Sequence, residues 1–262
     1  MKLGCLPYLN VKPLIYPFEH GELPQGWELV YAPPSALARM LASGEIAAAP
    51  VSSFAVFEQP DLETCPGICI AADGPVKSVL MLSKIEPRNI YTVALDTGSL
   101  SGASMLKIIL AEAYGLTPQF VPMPAEPVSR MLDACDAALV IGNPAMVYPK
   151  DGLLVVDVGE EWKKLTGLPA VFAVWAGREM TPDLVHQLQL SKRKGMSKLV
   201  AIAREESAEL GLPFEQCYEY LSETMVYDLG EREALGLKVF RDKCVEHGLL
   251  CAIPGWVKAE AR

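Results

Sequence analysis

Histidine is scarce in this chain, with His20, His186 and His247 the only three in 262 residues. They are far apart and no Cys-x-x-Cys pair occurs, so the donor spacings of a zinc site are missing. Also absent are a Gly-x-Ser-x-Gly elbow, a phosphate-binding Walker loop and a Gly-x-Gly-x-x-Gly fingerprint. The commonest signatures of serine hydrolases, nucleotide hydrolases and dinucleotide enzymes are thereby removed, and neither metal nor cofactor is expected. No apolar run approaches the ~18 residues of a membrane span, and Met1–Pro7 lacks the apolar segment of a secretory leader. The seven cysteines are odd in number and scattered, which fits small buried hydrophobes in a reducing, cytoplasmic setting. Positive charge is also short: 23 Lys and Arg stand against 32 Asp and Glu, a net charge of −9. A nucleic-acid partner, which needs a basic face, is not expected.

What the chain does have is one local pattern repeated three times. A short apolar run ends, small polar residues follow, and a helical pattern begins. The first copy runs from Lys2–Leu6 through Pro7-Tyr8-Leu9-Asn10 into Val11–Ile15. The second runs from Tyr91–Leu95 through Asp96-Thr97-Gly98-Ser99 into a helix containing Leu106, Ile109 and Leu110. The third runs from Ala137–Ile141 into Gly142-Asn143-Pro144. Each places Asn or Ser where it can cap a helix start. Helix starts carry free N–H groups and partial positive charge, so they hold carboxylates well. Three of them point to a cleft for a small anion, gripped by local donors against an unfavourable overall field.

Short strands alternate with helices as far as residue 176, which predicts mostly parallel sheets covered by helices. From Thr181 onward the pattern is helical, over about 181–207, 213–224 and 230–247, and reads as scaffold with Leu235, Val239 and Leu249 in the core. The polar stretch 83–90 and the turn at 166–177 read as crossings between two lobes. One lobe would then be 1–84 plus 176–262, and the inserted lobe 85–175. A ligand would lie between them, at the carboxyl ends of the strands.

Candidate site residues come from these junctions. Asn10 either caps the first helix or turns its amide to the cleft, and Tyr8 in the same loop either packs or lines it. Ser78 interrupts the apolar run 76–82, so its hydroxyl must find water, a backbone group or a ligand. Lys77 beside it is a surface lysine or a source of positive charge. Ser99 caps, while Ser101 and Gly102 add a hydroxyl and uncovered backbone to the same helix start; Gly there costs helix stability, which close approach of a ligand would justify. Gly142 and Asn143 form the third junction. Asp96 and Asp136 flank the strands and read either as acid–base groups or as turn residues.

At these residues the chain resembles the chorismate dehydratase family of the futalosine route to menaquinone. The similarity is carried by Pro7–Leu14, Ile70–Val79, Val93–Ser99, Asp136–Gly142 and Asp157–Trp162 continuing into Leu165–Trp175, in order along the chain. The resemblance implies a two-lobed α/β fold like the type II periplasmic solute-binding proteins, with mixed, mostly parallel sheets and a helical C-terminal segment. It implies loss of water from chorismate, a small-molecule dicarboxylate, to give 3-[(1-carboxyvinyl)oxy]benzoate without metal or cofactor. Asn10 and Ser78 are then the catalytic candidates; Tyr8, Ser99, Ser101, Gly102, Gly142 and Asn143 are the substrate-binding ones. Three positions depart from the family pattern. Asn143 and Ala47 stand where Asp is common, and Ser99-Leu100-Ser101-Gly102 has one hydroxyl fewer than usual. Two other functions remain open: the later naphthoate-forming enzyme of that route, which would be expected to carry a cleft histidine, and a cytoplasmic protein that binds or senses an aromatic carboxylate. The oligomeric state is not legible.

Overall fold

In the computed structural model, which describes residues 1–96, 98, 100–123 and 126–251, the alternating pattern folds into two five-stranded sheets. The chain starts with β1 (Lys2–Cys5), passes a 3-10 turn (Leu9–Val11) into α1 (Lys12–Pro17) and a π-helical turn (Phe18–Glu22), and continues through β2 (Glu28–Tyr31), α2 (Pro34–Ser43), β3 (Ala48–Ser52), α3 (Ser53–Glu58) and β4 (Glu63–Ala72). It then forms β5 (Val79–Ser83), β6 (Thr92–Leu95), α4 (Leu100–Tyr114), β7 (Gln119–Pro122), α5 (Val128–Ala134), β8 (Ala137–Ile141), α6 (Asn143–Val147) and β9 (Leu154–Asp157). Helix α7 (Val158–Thr166) leads to β10 (Ala170–Gly177). The described chain ends with α8 (Pro182–Met196), α9 (Leu199–Leu210), α10 (Phe214–Glu219), a π-helical turn (Tyr220–Thr224) and α11 (Glu231–Glu246).

The sheets share one layout. Their orders are β2-β1-β3-β10-β4 and β7-β6-β8-β5-β9. In the first, β1 pairs in parallel with β2 and β3, and β10 runs antiparallel between β3 and β4. In the second, β6 pairs in parallel with β7 and β8, and β5 runs antiparallel between β8 and β9. Four strands of each sheet therefore point one way, and the reversed strand is the one that enters from the other lobe.

This membership moves the expected lobe boundaries. β5 lies within the range 1–84 but belongs to the second sheet, and β10, most of it within 85–175, belongs to the first. The chain crosses between Ala72 and Val79 and returns between Asp157 and Ala170. The physical reason is that β5 and β10 are apolar along nearly their whole length and buried on both faces. A strand of that kind fits the centre of either sheet, so composition does not say which.

Helix α4 explains how the lobes are held. Met105, Leu106, Ile108, Ile109 and Leu110 are fully buried, and the helix packs against α3, α7 and α11. A helix apolar nearly all round is a buried helix. One hydrophobic cluster consequently runs through both lobes, with a smaller one where Met131 and Leu132 of α5 meet Leu80, Leu82 and Val140.

The C-terminal helices differ from expectation in two details. The single helix foreseen over 181–207 breaks between Met196 and Leu199, just after Gly195 of α8 touches α1 so closely that a Cβ there would lie 1.8 Å from the Pro13 carbonyl oxygen. In α11 the buried stripe is Gly236, Phe240 and Cys244, so Leu235, one position off that stripe, is 49% exposed. Val239 and Leu249 pack against the core as partly buried residues. Among the described residues no helix is long and apolar enough to cross a membrane.

Candidate functional site

The strand ends converge as the junction pattern requires. Loops after β1, β3, β6 and β8 surround a cavity of about 90 Å³. Its apolar walls include Leu6, Val11, Ile70, Val79, Ile141 and Phe172, and its polar side chains are Tyr8, Asn10, Ser52 and Ser101. Among the described residues none that lines it is charged. Gly98 and the first turn of α4, Leu100 to Gly102, open onto it, bringing backbone N–H groups at the positive end of a long helix.

Of the predicted residues, Tyr8, Asn10, Ser101, Gly102 and Gly142 line this one cavity. Ser99 lies outside the described residues. Asn10 is not a helix cap. It sits inside the 3-10 turn, and the caps of that turn and of α1 are Tyr8 and Val11, neither bonded through its side chain. Pro13 sits in the first turn of α1, where its missing N–H costs nothing. Asn10 Oδ1 is buried with no protein partner.

Ser78 does not line the cavity. It is 1% exposed, and its Oγ accepts a 2.7 Å hydrogen bond from the hydroxyl of Tyr220. Burial keeps the Tyr220 phenol well above its ordinary pKa, against smaller opposing effects of the neighbouring Ser78 and Asn10 side chains. Ser78 is therefore satisfied by Tyr220 and not by the cleft.

Asn143 is also placed differently from expectation. It is the first residue of α6, yet its side chain leaves its own helix. Oδ1 accepts from the Leu9 backbone N–H at 2.9 Å, and Nδ2 donates to the Pro7 carbonyl at 3.2 Å. Both its amide groups are engaged in joining the two lobes. Gly142 caps α6 from φ 64°, ψ −146°, and the Tyr8 ring lies against it, 3.0 Å from where a Cβ would stand. Burial, then the charge of Asp96, push the Tyr8 phenol above its usual pKa, so Tyr8 reaches the cavity as a neutral O–H.

The two aspartates have structural tasks. Asp96 Oδ1 accepts from Gly98 N at 2.9 Å and closes the turn after β6. Asp136 Oδ2 accepts from the backbone of Tyr91 and Thr92 and from Thr92 Oγ1, joining the starts of β6 and β8. Lys77 pairs with Glu219 at 2.5 Å. It lines a different hollow, of about 250 Å³, with Lys150, Asp157 and Gln216. That hollow is larger, but Asp157 there is taken up by four backbone N–H groups. The smaller cleft is the candidate site because it collects the strand ends of both lobes. Among the described residues no group of three His, Cys, Asp or Glu side chains is placed to hold a metal ion.

Sequence reasoning missed Ser52 and Tyr220. Ser52 ends β3, and its Oγ lies 2.7 Å from Ser101 Oγ, which also accepts from Phe54 N at 3.2 Å. The available signal was a Ser-Ser pair closing an apolar strand. Tyr220 gave none, since an aromatic residue in a helical run reads as core.

Comparison with known proteins bears on the family and the fold. The sequence profile of a family described as menaquinone biosynthesis matches residues 1–246. A chorismate dehydratase of Thermus thermophilus is 32% identical over 261 residues, covering 92% of this chain and 93% of that protein. A solved structure from Archaeoglobus fulgidus superposes with a TM-score of 0.76 at 19% identity, covering 95% of this chain and 98% of that one. The alkanesulfonate-binding protein SsuA of Xanthomonas axonopodis pv. citri does so with 0.72 at 16% identity, covering 96% and 94%. The periplasmic aliphatic sulphonate binding protein SsuA of Escherichia coli gives 0.68 at 16%, again covering 96% and 94%. At these identities the structural likeness is one of fold, a periplasmic-binding-protein-like pair of α/β lobes. With the profile spanning nearly the whole chain and a relative at 32% identity, the protein belongs to the menaquinone biosynthesis family.

Proposed function

We propose that this protein is a carbon–oxygen lyase of the cytoplasm that removes water from chorismate, giving 3-[(1-carboxyvinyl)oxy]benzoate as a step of the futalosine route. The observation that carries the reading is the cleft itself: apolar walls, with Asn10, Ser52, Ser101, Tyr8 and the start of α4 as uncharged donors and acceptors. The 32% identical relative is named a chorismate dehydratase, which supports the choice of substrate.

The chemistry suits such a site. Loss of a ring proton and the ring hydroxyl of chorismate forms one molecule of water and an aromatic ring, with no change of oxidation state overall. The reaction is downhill, so the protein's task is to orient the ring and stabilise charge as the C–O bond breaks. Two carboxylates can be held by the N–H groups of Leu100 to Gly102 and by the serine hydroxyls. Among the described residues no carboxylate or imidazole lines the cleft, and a carboxylate of the substrate is the proposed proton acceptor.

The cavity of about 90 Å³ is much smaller than the ~300–1,000 Å³ of ordinary ligand pockets. The lobes must part to admit the substrate and close again around it. The naphthoate-forming alternative is disfavoured by the histidines. His20 faces Glu205 and His247 faces Glu112, and none of the three lines the cleft.

The test is incubation of the purified protein with chorismate, followed by ultraviolet absorbance and mass spectrometry. Appearance of a product 18 mass units lighter supports the reading; that difference is about one water lost in the elimination argued above. Binding without conversion would assign the protein to ligand sensing instead.

A further inference from the structure

Among the described residues Lys77 is the one non-glycine with a positive φ, 61°. A side chain in that left-handed region is strained and persists only where its surroundings hold it. What holds Lys77 is Asp157, the last residue of β9 and the cap of α7. Asp157 Oδ2 accepts from Lys77 N at 2.7 Å, and Oδ1 accepts from Val76 N at 3.0 Å. Oδ1 also accepts from Gly159 N at 2.9 Å and Glu160 N at 3.1 Å. One carboxylate thus clasps the chain entering the second lobe to the helix by which it leaves. The two segments lie so close that a Cβ on Gly159 would stand 2.6 Å from the Gly74 carbonyl oxygen. Capping α7 needs only the bonds to Gly159 and Glu160, so those to Val76 and Lys77 are additional.

The strained residue leads directly into the cleft wall. The Ser78 carbonyl accepts from Gly142 N at 2.8 Å, and Val79 pairs with Ile141 in the β5–β8 ladder. Val79, Ile141 and Gly142 all line the cleft, and the Tyr8 ring lies against Gly142. We propose that Asp157 is a positioning residue for the cleft: its carboxylate holds Lys77 left-handed, which aims the Ser78 carbonyl at Gly142 N and sets the wall of Val79, Ile141 and Gly142. This deepens, and rests on, the reading of the cleft as a dehydration site. Asp157 does not line the cleft itself; it acts through the backbone of Lys77 and Ser78. Lys77 Nζ, paired with Glu219 at 2.5 Å, fastens the same turn to α10.

Asp157→Asn tests this selectively. Asn caps a helix about as well as Asp, and its one carboxamide oxygen can stay on α7, but its NH₂ then replaces the oxygen that Lys77 N needs. The substitution is made in the wild type and in Lys77→Gly, since glycine takes a positive φ without steric cost. The readouts are kcat/KM for chorismate and hydrogen exchange of the Gly142 amide by NMR. In the wild type Asp157→Asn should lower kcat/KM about tenfold, the worth of one hydrogen bond, and speed Gly142 exchange by a similar factor. In the Lys77→Gly background the same substitution should change each less than about threefold, because the turn no longer needs holding. Loss of the Lys77–Glu219 pair is common to both members of that comparison and cancels. Equal effects in the two backgrounds would mean that Asp157 serves only α7, and would overturn the proposal, as would no effect in the wild type. If Asp157→Asn does not fold, Lys77→Val is compared with Lys77→Gly. The β-branched residue should show the lower kcat/KM and the faster Gly142 exchange, and equal values or the reverse order would overturn the proposal. If the wild type does not turn over chorismate, the parent reading fails and the exchange measurement decides alone. Faster Gly142 exchange in Asp157→Asn that Lys77→Gly suppresses would still support the clasp, and unchanged exchange would overturn it.

Discussion

Asn143 and Leu9, 134 positions apart, meet where the lobes face each other: the Asn143 carboxamide accepts from Leu9 N at 2.9 Å and donates to the Pro7 carbonyl at 3.2 Å. The side chain mimics a strand neighbour and fastens the loop that carries Tyr8 and Asn10. Entry of the proposed substrate into a cleft of about 90 Å³ would require this fastening to open. Asn143→Ala should remove both bonds, cost about 1–2 kcal/mol and lower Tm by a few degrees. It should also enlarge the unliganded protein in small-angle scattering and speed chorismate binding in stopped flow. Asn143→Asp should be no better, because a carboxylate oxygen would face the Pro7 carbonyl. An unchanged radius of gyration and binding rate in Asn143→Ala would show that the bonds do not govern opening.

Gly142 demands its residue type for two separate reasons. Its backbone sits at φ 64°, ψ −146°, a region almost closed to residues with a Cβ. An added methyl would also meet the Tyr8 ring at 3.0–3.3 Å. Gly142→Ala should therefore cost about 1–3 kcal/mol in urea denaturation and displace Tyr8, lowering kcat/KM as well. Full retention of the urea midpoint would contradict the strain argument.

The strand-to-helix junctions, and the cleft they form, were legible because capping residues, Pro and Gly report local backbone geometry. What the junction residues do with their side chains was not. Asn143 follows a strand and precedes a Pro, which is ample reason to expect a cap, and nothing near it names a partner on the Pro7–Leu9 loop. Ser78 is the instructive middle case. A hydroxyl in an apolar run had to be satisfied, but its partner came from Tyr220, 142 residues later. β5 and β10 are legible as strands, but not which lobe's sheet each joins, since burial on both faces is the same in either.

Asp136 supplies a pH prediction. The backbone N–H of Tyr91, foremost, and the Thr92 donors hold its carboxyl below the ordinary aspartate range, against a smaller effect of burial. A carboxyl lowered in the folded state stabilises the fold above its unfolded pKa of about 4, and that contribution is lost as pH falls through the folded value. Asp136→Asn should accordingly be less stable than wild type at pH 7, by on the order of 1 kcal/mol after allowing for solvent screening. The gap between the two urea midpoints should close in acid, below about pH 4. A gap that is the same at pH 7 and pH 3 would show that the lost bonds do not depend on the charge.

Ser52 and Ser101 join the lobes at the other side of the cleft. Their hydroxyls are 2.7 Å apart, and Ser101 Oγ also accepts from the Phe54 backbone N–H. Ser101 is 2% exposed, so its removal leaves Phe54 N and the Ser52 hydroxyl without their partner. Each orphaned group costs about 1–3 kcal/mol, and Ser101→Ala should lose more stability than Ser52→Ala, which orphans none of the backbone. Since the two hydroxyls share one bond, their effects should not add. The double variant should be less destabilised than the sum of the singles by about 0.5–1.5 kcal/mol. The same cycle in kcat/KM separates the two tasks of the pair. Both hydroxyls line the cleft, so if they grip a substrate carboxylate jointly the kinetic cycle will be coupled as well. Additive kinetics beside a coupled stability cycle would mean that the pair only fastens α4 to β3, leaving the carboxylate to the backbone N–H groups at the start of α4.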